Sequence, residues 1–214
     1  PSSRDHVAAR LVATAGDTSQ RVPGLAAPWP RSEPIALHDE VTTNITSNVT
    51  WTLANSPYTL TADIIVSPSV TLTIEPGVIV RGQSGTELQI QGHLEAIGTP
   101  TQTITFTSKT DTGPREWVGI EFAGGTGELQ HTLLRYAGGD TNKPGILIQN
   151  SARVTIRSSK ILSNAYAGVK INNSPVIFND TLIAGNQDYN PNNTCGIEET
   201  SSVITVQHTT FRDN

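Results

Sequence analysis

The sequence has no Met, a single Cys and few charges. One cysteine, Cys195, cannot form a bridge within the chain, so the fold must rest on packing and backbone hydrogen bonds. Only 15% of the residues are charged, the net charge is −5, and Lys and Arg are scattered singly. No basic stripe is available to neutralise a phosphate backbone, which argues against nucleic acid as a partner. No apolar run approaches the ~18–20 residues that a membrane span needs. What remains is a chain of 214 residues, long enough for one domain with a real core. Its polar character comes from Thr, Ser, Asn, Gln and Gly, the composition of extracellular β-proteins that stay soluble without many charges. An extracellular or cell-surface location is therefore expected. The start at Pro1 leads to the expectation of a mature secreted product or a trimmed chain.

Two regions differ in texture. Residues 1–40 carry Pro23, Pro28, Pro30 and Pro34, little alternation and one weakly helical stretch, and are read as an N-terminal arm. Residues 41–214 consist of short alternating apolar segments punctuated by Gly, Pro and Asn, such as Ile64–Val66, Leu72–Ile74, Leu88–Ile90 and Ile104–Phe106. These predict strands of three to five residues, set too closely for helices between them.

A repeat underlies the second region. Gly119, Gly145, Gly168 and Gly196 each open a unit, at separations of 26, 23 and 28 residues. The units also align from Asn164, Asn186 and Asn214, with Ala137 as the equivalent position in the first. Eight residues earlier stand Leu129, Ile156, Phe178 and Val206; three earlier stand Leu134, Ile161, Ile183 and Phe211. Five earlier is a hydroxyl column of Thr132, Ser159, Thr181 and Thr209. Strand side chains alternate faces, so the hydroxyl and apolar columns two apart point the same way, inward. Stacking the units predicts an all-β parallel β-helix with aliphatic columns as its core, a hydroxyl ladder, and an asparagine ladder at one turn. The spacing between a ladder Asn and the next Gly varies from 4 to 10 residues, which places length variation in one loop while the rungs keep register.

The stretch from Val70 to Val78 with its Glu75-Pro76-Gly77 turn, followed by Leu88–Ala96 and Ile104–Ser108, resembles secreted bacterial proteins of the pectate-lyase-like, right-handed parallel β-helix class. Trp117–Phe122 looks like the start of that class's next coil. The resemblance covers about residues 50–214 and implies fold far more than function, since such coils occur in lyases, hydrolases, adhesins and surface proteins alike.

No catalytic set is apparent. The outward column Glu121, Leu147, Lys170, Glu198 reads as a solvated surface with at most one ion pair, and the column His131, Ser158, Asp180, His208 is the nearest approach to a functional constellation, in which only Asp180 and His208 are one rung apart. His6, His38 and His93 lack ligand-type neighbours, so no transition metal is expected. Asp188 and the Asn side chains of loop 185–193 could offer oxygens to Ca²⁺, but turn formation explains the same composition. Cys195 is expected to be a small core residue. No cofactor is assigned and no enzymatic activity is expected.

Glu199 breaks the inward column of Phe122, Ile148 and Ile171, and Asn214 completes a ladder position with nothing after it. These features lead to the expectation of a structural subunit that associates head to tail into an extracellular filament, with Glu199 and Phe211 of the last coil and Val7, Leu11 and Trp29 of the arm as contacts. The alternatives are a carbohydrate-binding or lyase-like module, or a fragment of a larger adhesin. For the carbohydrate reading the aromatic platform is thin, because Trp29 and Trp51 lie outside the regular coils and Tyr136, Tyr166 and Tyr189 lie near turns.

Overall fold

A computed structural model describes residues 40–140, 143–187 and 195–214, all within the compact unit Ala36–Asn214. Alternation sets the strands: Thr71–Ile74 and Glu87–Ile90 both bury every second residue, and parallel neighbours then align like with like. The chain visits three parallel sheets in a fixed cycle, here called A, B and C, and completes about six turns of a β-solenoid. Sheet A runs from Glu40–Val41 to Thr210–Arg212, sheet B from Ile64–Val66 to Ile197–Thr200, and sheet C from Val49–Trp51 to Val203–Gln207. Among the described residues the sole helical element is the short 3-10 turn Leu53–Asn55.

The predicted columns are the observed registers. Leu129, Ile156, Phe178 and Val206 pair in succession along sheet C, and Leu134, Ile161, Ile183 and Phe211 along sheet A. With Phe106, Phe122 and Phe178 fully buried among aliphatic residues, these columns form one continuous core. Burial of each such side chain contributes roughly 1.5–3 kcal/mol. After Ile74 the chain turns at Pro76-Gly77, where Gly77 takes φ +83°, and the next strand opens at Ile79. Val78, just before that strand, is a buried corner residue.

Asn164 and Asn186 are buried, and their amides close the corner after sheet A. Asn186 Oδ1 accepts from Asn164 N (3.1 Å) and Nδ2 (2.9 Å), while Asn186 Nδ2 donates to Ile161 O (3.2 Å) and Asn214 Oδ1 (2.8 Å). Asn164 Oδ1 in turn accepts from Ala137 N at 3.0 Å.

The hydroxyl column works differently from a ladder. Thr132 Oγ1 does bond Ser159 Oγ one rung on (3.0 Å), but Ser159, Thr181 and Thr209 each donate to the carbonyl two residues earlier, at 2.7, 3.0 and 2.9 Å. The intervening residues are the turn column His131, Ser158, Asp180 and His208, all left-handed with φ of 46–51°. A non-glycine residue there costs roughly 1–2 kcal/mol, and after Ser158, Asp180 and His208 the hydroxyl that follows ties the bend to the carbonyl just before it. Ser174 and Ser202 repeat the device at the corner between sheets B and C, bonding Asn172 O and Thr200 O across left-handed Asn173 and Ser201.

Two further expectations are corrected. Trp51 lies inside a coil, 4% exposed on the first strand of sheet C, because its ring stacks on Tyr58 with centroids 4.8 Å apart. Cys195 is half-buried at a corner and not in the core; burial and the nearby Glu198 push its thiol pKa up.

Asn186→Ala is expected to destabilise by about 2–4 kcal/mol, because it strands two backbone groups of the preceding rung, Asn164 N and Ile161 O, whereas Asn214→Ala, at a part-buried position, should cost about 1 kcal/mol. Urea unfolding of the two variants checks the difference; equal losses would remove the ladder's special role.

Candidate binding face

The corner from sheet A to sheet B carries the length variation: its connections are residues 61–63, 83–86, 109–118, 136–145, 163–168 and 185–196. The corner from C to A has shrunk to one or two residues from position 131 onward. Side chains that do more than pack therefore gather along the A–B edge.

Connection 109–118 is anchored by Trp117, which is fully buried and donates Nε1–H to Arg135 O at 3.0 Å. The ring occupies space that only a glycine at position 82 leaves free, since a Cβ there would sit 2.5 Å from it. Arg135 Nε binds Asp111 Oδ1 at 2.8 Å, and Thr107 Oγ1 donates to the same carboxylate. Arg115 lies over the Tyr166 ring, 4.9 Å from its centroid, and Arg135 over Tyr136 at 5.1 Å. Gln83, Ser84, Lys109, Thr110, Arg115 and Glu116 line a cavity of about 350 Å³ with Gly82. Burial works against ionisation of Glu116, but hydrogen bonds from Ser108, Thr110 and Thr112 outweigh it and hold its pKa near 2.

Residues 83–86 lead directly into Glu87, on the outer face of sheet B. Glu121 stands one rung on, in register with Gln89. Lys143, from connection 136–145, bridges the two carboxyls: its Nζ is 3.1 Å from Glu87 Oε1 and 3.2 Å from Glu121 Oε2. Gln149 Nε2 donates to Glu121 Oε1 at 2.5 Å. Glu121 is 7% exposed in its side chain and Glu87 17%. Burial pushes the Glu87 pKa up to about 7, with Lys143 opposing and the neighbouring Glu121 charge adding to the rise. Burial acts on Glu121 in the same direction, but Lys143 and the hydrogen bonds from Lys143, Gln149 and Glu87 outweigh it and hold its carboxyl below the ordinary range. The two carboxyls are thus pushed in opposite directions, beside one ammonium group. The group offers hydrogen-bond donors and acceptors side by side on the outer face of sheet B.

The other singled-out residues do not converge. Lys170 and Glu198 form the single ion pair of the outward column, at 2.7 Å. Asp180 Oδ1 and His208 Nδ1 are 3.5 Å apart and largely exposed, and both residues are used as left-handed bends. Glu199 stands on the last strand of sheet B in the Phe122 column, exposed, its Oε1 accepting from Ser202 N. Phe211 is 45% exposed. Val7, Leu11, Trp29, Asp188 and Tyr189 lie outside the described residues. Among the described residues no three His, Cys, Asp or Glu side chains are placed to hold a metal ion, and no helix is long and apolar enough to cross a membrane.

Residues 43–129 match a sequence family described as a pectate-lyase like beta helix domain. Together with the solenoid, the match establishes the fold class. It includes Glu87 and Glu121 and ends before Lys143 and Gln149. Among curated proteins, "Protein bark beetle" of Drosophila melanogaster is 42% identical over 59 residues, 28% of this chain. That segment is 2% of the fly protein's length.

Sequence reasoning missed the Glu87–Glu121–Lys143–Gln149 group because its members come from three strands and a connection. Glu87 and Lys143 are 56 residues apart. The available signal was Glu87 itself, an acidic residue opening a strand two positions before outward Gln89.

The displaced carboxyls make stability pH-dependent. The folded state raises the Glu87 pKa from 4.5 to about 7, so its favourable contribution is complete below about pH 4.5 and is lost as pH rises through 7. Glu121 and Glu116 act oppositely, stabilising above the ordinary carboxylate range and losing that contribution in acid. Glu87→Gln is expected to flatten the fall in the urea midpoint between about pH 5 and 8. An unchanged slope would place the proton elsewhere.

Proposed function

We propose that the chain is a non-enzymatic carbohydrate-binding module of an extracellular or cell-surface protein, and that it holds its ligand along the A–B edge. The observation that carries this reading is the outward group of Glu87, Glu121, Lys143 and Gln149. It is a set of carboxyl, ammonium and amide groups joined by direct contacts across neighbouring rungs, on the same edge as a cavity walled by Arg115 and Lys109. Sugar hydroxyls need acceptors and donors in such fixed pairs, and a rigid sheet presents them without an ordering cost. The β-helix match supports a surface or carbohydrate-related setting.

A glycan array followed by calorimetry on the strongest binder tests it. Glu121→Gln and Gln149→Ala should each weaken binding about tenfold, or about 1.4 kcal/mol, while leaving the cooperative unfolding transition in place. Absence of binding to any glycan, or variants that bind as well as the parent, would sink the proposal. Release of reducing ends or unsaturated products would overturn its non-enzymatic part.

A further inference from the structure

We propose that Lys143 is a proton-controlled latch, which holds the end of connection 136–145 against the outer face of sheet B through Glu87 and Glu121 and lets it go stepwise as those carboxyls take up protons. The latch itself needs no ligand; as a gate on a glycan it rests on the binding reading above.

The geometry isolates the three groups. Glu87 and Glu121 project from adjacent rungs of sheet B, and the lysine that bridges them comes from outside both strands. The Lys143 side chain is 27% exposed, so its charge depends on the two carboxyls more than on water. Other charges nearby are committed elsewhere. Asp63 Oδ1, on the preceding rung, accepts from Glu87 N at 3.0 Å. Lys170 is paired to Glu198, with Leu147 standing between Lys170 and Glu121 in the column. Asp140, on the connection itself, has an interaction of its own. The neutral neighbours are Gln149, on Glu121 Oε1, and Gln89, which binds Gln91 at 2.8 Å.

Charge counting then gives three states. With both carboxyls ionised the group carries −1 and grips the ammonium from two sides. With one proton, which Glu87 takes, it is neutral and Lys143 is held by Glu121 alone. With two protons it carries +1, and the half-buried ammonium has lost both carboxylates that bridge it; leaving the face for water is then favoured. The burial of Glu87, which raises its pKa to about 7, places the first step near neutral pH, and the second falls below the ordinary carboxylate range. At the end of the connection, Gly145 N donates to Ala167 O at 3.1 Å, so loosening has a backbone reporter.

Carboxyl carbon NMR and amide exchange of Lys143 and Gly145, followed on the whole chain from pH 3 to 9 and corrected for intrinsic exchange, test the latch. One carboxyl should titrate near 7, exchange at these amides should rise as that proton binds, and it should rise again in acid. Glu87→Gln should remove the first step and keep the second. Lys143→Gln should leave exchange in the connection fast and without either step, while the ladder amides of Asn164 and Asn186 stay protected. Glu87 titrating near 4.5, or protection at Gly145 that ignores pH in the parent chain, would overturn the proposal. Glycan binding measured across the same range separates the two ideas. A titrating latch with no glycan bound defeats only the binding reading, and binding without the titration defeats only the latch.

Discussion

Parallel register is the constraint from which the rest of this structure follows. Each residue sits about 4.8 Å from its equivalent on the next turn, so a side chain that suits one rung must suit its neighbours above and below. Aliphatic residues satisfy this by stacking into columns. Polar groups can satisfy it only if each finds a partner along the stack or at its own corner. Asn164, Asn186 and Asn214 take the first route, the amide of one rung serving the backbone of the last. Ser159, Thr181, Ser174 and Ser202 take the second, closing a left-handed bend onto a carbonyl two residues back.

The same constraint decides where novelty can be stored. From position 131 onward the corners between C and A, like the B–C corners at 173–174 and 201–202, have only one or two residues, so an insertion would break the bend and its hydroxyl bond. The A–B corner accepts ten residues in each of the connections 109–118 and 136–145. Trp117 fills the space beneath one of these, and Lys143 ties the other to the sheet. Every described carboxyl or amine with a displaced pKa lies on that edge or on the outer face it borders.

Legibility followed periodicity. The columns headed by Leu129 and Leu134 could be read because repetition at a near-constant spacing is a one-dimensional signal. So could the asparagine positions and the single variable loop. The bend column was seen but not understood: His131, Ser158, Asp180 and His208 share no side-chain chemistry, and what unites them is a backbone angle. The placement of Trp51 was misread because the first coils are irregular and its partner, Tyr58, lies beyond a corner. The lysine and two glutamates were invisible as a group because nothing in the repeat predicts that an inserted connection folds back across two rungs.

The sequence by itself determined that this chain stacks as a parallel β-helix, which residues face inward, and which corner may lengthen, because these depend on alternation and spacing along the chain. Only the tertiary structure decided which polar residues meet. The Glu87 carboxyl acquires a pKa near 7 from burial and from a neighbour one full turn away, and distance through space is a quantity that a linear pattern does not contain.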